Sequence, residues 1–163
     1  AAWCGPLAQA PRRATVFRDG VPHELTGTGE QTAPVGPPGR YVSDPDGAVV
    51  RAHLVAEYAA AHGGRLADPT IAYVWTDEPV VSPFGRCFEV AEVLPFSLKR
   101  LRATLRERGV GRLEILKRGS ALDVEQLRRD LRLSGPHALS LILTRVAAAP
   151  TALLAHPLPT PLR

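Results

Sequence analysis

Methionine is missing from the 163 residues, even at the first position, where the chain opens Ala1-Ala2-Trp3-Cys4. Because an open reading frame starts with Met, the expectation is a fragment of a longer protein. Cysteine is almost as scarce. Cys4 and Cys87 stand far apart and in no Cys-x-x-Cys pair, which excludes a disulfide framework and makes a reducing cytoplasm the expected location. Aromatic residues reach only 6%, so the core must be built from Leu, Val, Ala and Ile. Lysine occurs only at Lys99 and Lys117, leaving nearly all positive charge to arginine. A GC-rich coding sequence gives the same skew together with abundant Ala and Pro, so the preference for Arg is not by itself a sign of phosphate recognition. No apolar run approaches the roughly 20 residues that a membrane span needs, and the longest, from Ala147 to Ala155, is interrupted by Pro150. No secretory signal pattern opens the chain.

The residues that are present describe an ordinary folded domain with a loop-rich stretch. Hydrophobic residues make up 45% and charged residues 22%, which excludes a wholly disordered, collagen-like or coiled-coil chain. The 16 prolines and 14 glycines require irregular structure somewhere. The formal net charge is +4, a mild excess that permits an acidic partner without requiring one. Its distribution says more: residues 1–85 carry 6 basic and 9 acidic side chains, whereas residues 86–145 carry 13 basic and 7 acidic, a net +6.

Along the chain, residues 1–8 (AAWCGPLA) read as the end of a buried strand. Residues 14–25 read as a hairpin turning at Asp19-Gly20, which supplies positive φ angles. Two strands without helices cannot bury their faces alone, so residues 1–25 are expected to be the remnant of a larger sheet. Residues 26–40 (TGTGEQTAPVGPPGR) have the composition of a connector. Gly27-Thr28-Gly29 is a plain linker here, because a phosphate loop needs a helix opening after its glycines and prolines follow instead. Residues 41–85 form a linking segment with one helix from Ala48 to His62, Val49, Leu54 and Tyr58 sharing a face, and one strand from Thr70 to Trp75. Tyr41, His53, Tyr58, His62, Tyr73 and Trp75 are read as packing residues. Asp44-Pro45 and Asp68-Pro69 are read as turn initiators.

From residue 86 to 157 the pattern is a strand from Phe88 to Leu94, a helix from Ser97 to Arg108 stopped by Gly109, and a strand from Val110 to Lys117. A helix from Asp123 to Arg132 follows, with Asp123 and Gln126 placed like a capping box, then a strand from Ala138 to Val146. A last strand from Thr151 to His156 returns through a turn at Ala149-Pro150, and residues 158–163 are a tail. The order β-α-β-α-β-β predicts an α+β fold with two helices on a small mixed sheet, and its two helix-then-strand units suggest a weak internal repeat.

The chemistry of this half lies in its charges. Leu98, Leu101 and Leu105 make one apolar face, and Lys99, Arg102 and Arg106 repeat their spacing one position along as a basic row. Val124, Leu127 and Leu131 are copied in the same way by Arg128 and Arg132, with Arg129 beside them, and Lys117-Arg118 precede that helix. Rows of guanidinium groups suit phosphodiester oxygens. A solvated face diluted by Glu107, Glu125 and Asp130 is the competing reading. The aromatics that a single-strand stacking platform would interleave are missing. His23, His53, His62, His137 and His156 have no metal-ligand spacing with Cys4 or Cys87, so no metal is expected. Ser82, Ser97, Ser120, Ser134 and Ser140 sit in no nucleophile-elbow context, and no catalytic residue is assigned.

The segment FEVAEVLPFSLKRLRATLRERGVGRLEILKRGSALDVEQLRRDLRLSG resembles the THUMP-like domain at the C-terminal end of bacterial class I S-adenosylmethionine-dependent methyltransferases. Upstream, GRYVSDPDGAVVRAHLVAEYAA and LADPTIAYVWTDEP resemble the stretch joining that domain to the catalytic one, and AAWCGPLA and RRATVFRDG resemble the final strands of the methyltransferase sheet. The resemblance implies a parent transferase using S-adenosylmethionine, with this region recognising a substrate that by analogy is RNA. The acidic, glycine-rich strand-loop-helix that binds the cofactor is not in these residues, so no cofactor-binding residue is expected here, and the missing N-terminal methyltransferase domain becomes an expected partner. Within the matching motif, Lys99, Arg102, Arg106, Lys117, Arg118, Arg128, Arg129 and Arg132 are the candidate RNA contacts. The alternative is a structural module that packs on the catalytic core and binds no nucleic acid.

Overall fold

A computed structural model describes residues 5–159, which divide into two compact units, one reaching Cys87 and one spanning Phe88–Leu158. Of the strand end expected over residues 1–8, residues 1–4 lie outside the described residues, and Gly5–Leu7 form a single 3-10 turn instead.

In the first unit, β1 (Arg12–Arg18) and β2 (Val21–Gly27) form the expected antiparallel hairpin. Asp19 and Gly20 sit at φ 51° and 79°, the geometry of a two-residue primed turn. The hairpin is not left without support. Ala14 and Val16 are buried, and Arg18 reaches out of β1 to donate to the Pro83 carbonyl at 2.9 Å and to the Asp46 carboxylate at 3.0 Å.

The single helix expected from Ala48 to His62 is two helices, α1 (Gly47–Arg51) and α2 (Val55–Ala61). In one straight helix Val49 and Leu54 would point about 140° apart, yet both are fully buried together with Tyr58. The chain reconciles these demands with His53 at φ 59°. Its N–H bonds the Val50 carbonyl while the Leu54 N–H reaches back to Val49, the bonding of a Schellman stop. Asp46 caps α1 by accepting from the Ala48 N–H at 2.9 Å.

Three short strands complete this unit in the order β4 (Arg65–Leu66), β5 (Val74–Thr76) and β3 (Tyr41–Pro45). Asp44 therefore lies within a strand and opens no turn. Asp68 does open one: its Oδ1 accepts from both the N–H and the hydroxyl of Thr70, which delays the strand expected from Thr70 until Val74. Tyr58, Tyr73 and Trp75 are buried packing residues, whereas His53 is exposed. The connector makes one isolated parallel bridge, Val35 to Leu66.

The second unit follows the predicted order closely. Its elements are β6 (Gly85–Pro95), α3 (Leu98–Glu107), β7 (Val110–Lys117), α4 (Val124–Leu131), β8 (His137–Val146) and β9 (Ala149–Pro157). The strands lie in the order β6-β9-β8-β7, with β7 and β8 parallel and β9 antiparallel to both neighbours. Ser97 caps α3, and Asp123 caps α4 by accepting from the Gln126 N–H at 2.8 Å. The capping box is only half formed, because the Gln126 amide donates to Asp130. Leu101 and Leu105 of α3 and Leu127 and Leu131 of α4 close over Leu139, Leu141, Leu143 and Leu154 of the sheet. The return from β8 to β9 turns at Ala147-Ala148, with φ 47° and 65°, and not at Ala149-Pro150. Pro150 lies in β9 opposite Arg145.

Candidate nucleic-acid interface

The two basic rows lie on α3 and α4, and the protein itself uses part of them. Arg102 is half-buried and donates to the backbone carbonyl of Asp130. That carbonyl belongs to the last turn of α4, where carbonyls have no partner within the helix, so a cation from α3 closes the C-terminus of α4. Arg128 donates in turn to the Leu113 carbonyl of β7 at 2.6 Å, with Glu125 at 3.8 Å from its Nε. Lys117 donates to the Leu122 carbonyl at 2.8 Å and tightens the loop into α4. The Arg118 backbone N–H extends the ladder to Leu143, and Arg129 bonds the Gln126 side chain at 2.8 Å.

Lys99, Arg106 and Arg132 behave differently. All three are exposed, and none bonds an acidic side chain among the described residues. Arg132 is also the C-cap of α4, with φ 49°, a left-handed position that glycine occupies most cheaply. Spacing alone could not separate these three from Arg102 and Arg128, because the targets of the latter lie on other elements. It also passed over Arg100 and Arg112, which are exposed cations outside the rows. Around α4 the Asp123 carboxyl is held below its usual value by the Gln126 N–H that it accepts from, so it remains an anion beside Lys117.

Residues 85–157 match the family described as THUMP domain-like. This stretch is a THUMP-like domain. Over 149 residues the chain is 45% identical to two uncharacterized S-adenosylmethionine-dependent methyltransferases of Mycobacterium tuberculosis, from strains CDC 1551 / Oshkosh and ATCC 25618 / H37Rv. The match covers 90% of this chain and 40% of each relative. A crystal structure of a candidate methyltransferase from Porphyromonas gingivalis W83 shares the fold, with a TM-score of 0.68 and 24% identity over 88% of this chain and 36% of that one.

The Gly27-Thr28-Gly29 stretch is not an open cradle for the phosphate or methionine group of a cofactor. In the first unit the glycines at 27 and 29 surround a side chain of the protein's own: the Gly29 N–H donates to Glu57 Oε1 at 2.9 Å, and a β-carbon on Gly27 would overlap the Glu57 carboxylate. Among the described residues no group of three or more His, Cys, Asp and Glu could hold a metal ion, and no helix is long and apolar enough to cross a membrane.

Proposed function

We propose that this chain is the substrate-recognition region of a S-adenosylmethionine-dependent methyltransferase, and that its THUMP-like domain binds RNA. The observation that carries this reading is the trio Lys99, Arg106 and Arg132. These are solvent-facing cations on two packed helices, with no acid pairing them among the described residues, in a stretch whose net charge is +6. Lys117, Arg118 and Arg129 supply secondary contacts, while Arg102 and Arg128 act by holding the helices in place. Methyl transfer itself belongs to the catalytic part of the parent, and no step of it is assigned to these residues.

In this reading residues 1–25 are the last strands of the methyltransferase domain, 26–40 a connector, 41–85 a linking segment, 86–157 the THUMP-like domain and 158–163 a tail. Phe17 and Val21, 64% and 54% exposed near the tip of the β1-β2 hairpin, support a contact between that hairpin and the catalytic part.

The test is binding of the chain to tRNA and to rRNA fragments across a salt series. Phosphate-driven binding weakens steeply as salt rises. Replacing Lys99, Arg106 and Arg132 together by Gln should lower the log-log slope by about 2–3, roughly one for each phosphate left without its cation. Salt-insensitive binding, or no binding, would reject RNA as the partner. The contrasting reading, a module that only packs on the catalytic core, predicts a stoichiometric complex with the co-expressed catalytic part that methylates a substrate other than nucleic acid.

A further inference from the structure

We propose that the THUMP-like domain holds a pocket for a single unstacked base of a single-stranded RNA; this rests on RNA being the partner and adds how it is gripped. Strands β6, β7 and β8 run in the same direction, since β6 and β8 are each antiparallel to β9 and β7 is parallel to β8. Their carboxyl ends therefore gather at one end of the sheet, where crevices in α/β layers commonly bind ligands. Here Phe96 after β6, Gly119–Leu122 after β7, Thr144 and Arg145 near the end of β8, and Pro150 of β9 line an open cleft of about 330 Å³, within the size range of small-molecule sites.

The walls are tied in place by hydrogen bonds. The Phe96 N–H bonds the Pro150 carbonyl at 3.0 Å, the Leu122 N–H bonds Ser120 Oγ at 3.4 Å, and Gly119 at φ 70° turns the chain out of β7. Phe96 and Leu122 pack against the leucine core, so the floor of the cleft is continuous with a rigid interior. The lining combines Phe96, Ala121, Leu122 and Pro150 with Arg145 and contains no carboxylate, and Lys117-Arg118 lead directly into it. An apolar cleft with one aromatic wall and a cationic margin matches a nucleotide: a flat, weakly hydrated base with a phosphate at its edge. The Ser120 hydroxyl accepts from Leu122 and keeps its own proton to donate to a base edge. Sequence spacing shows no row of interleaved aromatics, but one base needs only one ring.

Fluorescence anisotropy with a labelled eight-nucleotide single-stranded RNA, and with the same sugar-phosphate strand lacking bases, tests the pocket. Ala121 is exposed, so Ala121→Phe fills the cleft without disturbing the core, and Phe96→Leu removes the ring in a second variant. Each should weaken the base-containing strand about tenfold, within what one base stacked on an aromatic side chain contributes, and leave the baseless strand unchanged. Equal affinity of the wild-type chain for both strands, or no effect of Ala121→Phe on either, overturns the pocket while leaving the basic surface standing. No binding of either strand or of folded RNA at low salt overturns the RNA reading and the pocket's occupant together.

Discussion

Arg102 of α3 holds the carbonyl of Asp130 at the end of α4, so one member of the first basic row is a fastener between the two helices. Arg128 does the same between α4 and β7 through the Leu113 carbonyl.

This arrangement separates the eight basic positions by outcome. Arg102→Ala and Arg128→Ala should each lower stability by about 1–3 kcal/mol, the range for losing a hydrogen bond from a charged donor to a half-buried carbonyl. Lys99→Ala and Arg106→Ala should stay within about 0.5 kcal/mol of the parent, as exposed substitutions do. Urea unfolding measures both. A flat profile across all four would mean that Arg102 and Arg128 hold nothing and belong with the free cations.

The parallel pairing of β7 and β8 depends on two glycines whose backbones touch. A β-carbon on Gly111 would overlap the carbonyl oxygen of Gly135, and one on Gly135 would overlap that of Gly109. Gly to Ala ordinarily stabilises a chain by limiting its unfolded state. Here the sign reverses, because backbone and not a pliable side chain stands in the way. Gly111→Ala should cost about 2–4 kcal/mol, as overpacking of a rigid site does. A melting temperature at or above that of the parent would show that the strands can separate without penalty.

How much of this was legible in the sequence depends on where the determining forces act. Helices α3 and α4 could be read because their causes are local: leucines three and four apart, with Ser97 and Asp123 as caps. The break at His53 could not, because it is imposed by the burial of Leu54, a residue with no propensity to end a helix. β3 escapes a reading by pattern because it is buried on both faces and shows no alternation. The β8-β9 turn falls two residues before the expected position, because Pro150 attracts a turn assignment and two alanines do not. The basic rows were legible in the sequence; which of their cations are tied to backbone carbonyls, as Arg102 and Arg128 are, needed the neighbouring elements.

The first unit should soften in acid in two stages. Burial lowers the His62 imidazole below its usual 6.5, beside the Tyr58 ring at 4.8 Å between centroids. The folded state therefore binds its proton less readily than the unfolded one, and the stabilisation, complete above pH 6.5, is lost as pH falls toward the folded value. For Asp46, burial pushes the carboxyl up, but the Ala48 N–H and the Arg18 guanidinium outweigh it, and the net shift is down from 3.8. Its contribution is present above that value and disappears as pH falls through the lowered one. Stability measured between pH 7 and 5 should decline in the parent and flatten in His62→Gln, while Asp46→Asn removes the decline below pH 4. An unchanged slope in His62→Gln would assign the first stage to another group.

Of the three second-unit residues that hold a left-handed conformation glycine would adopt more easily, Arg132, Ala147 and Ala148, the first and last should respond differently. Ala148 sits at φ 65° in the β8-β9 turn and Arg132 at φ 49° at the end of α4. A non-glycine residue there costs roughly 1–2 kcal/mol, partly offset by the flexibility that glycine adds to the unfolded chain. Ala148→Gly should therefore raise the melting temperature by about 2–4 °C, the shift expected per kcal/mol in a chain of this size, and leave RNA binding unchanged. Arg132→Gly should raise it by a similar amount and weaken RNA binding, since the cation is removed together with the strain. Divergence of stability and binding at Arg132, and not at Ala148, is what a residue retained for its charge requires. If both variants gain stability and bind RNA as the parent does, Arg132 is a helix cap and not a contact.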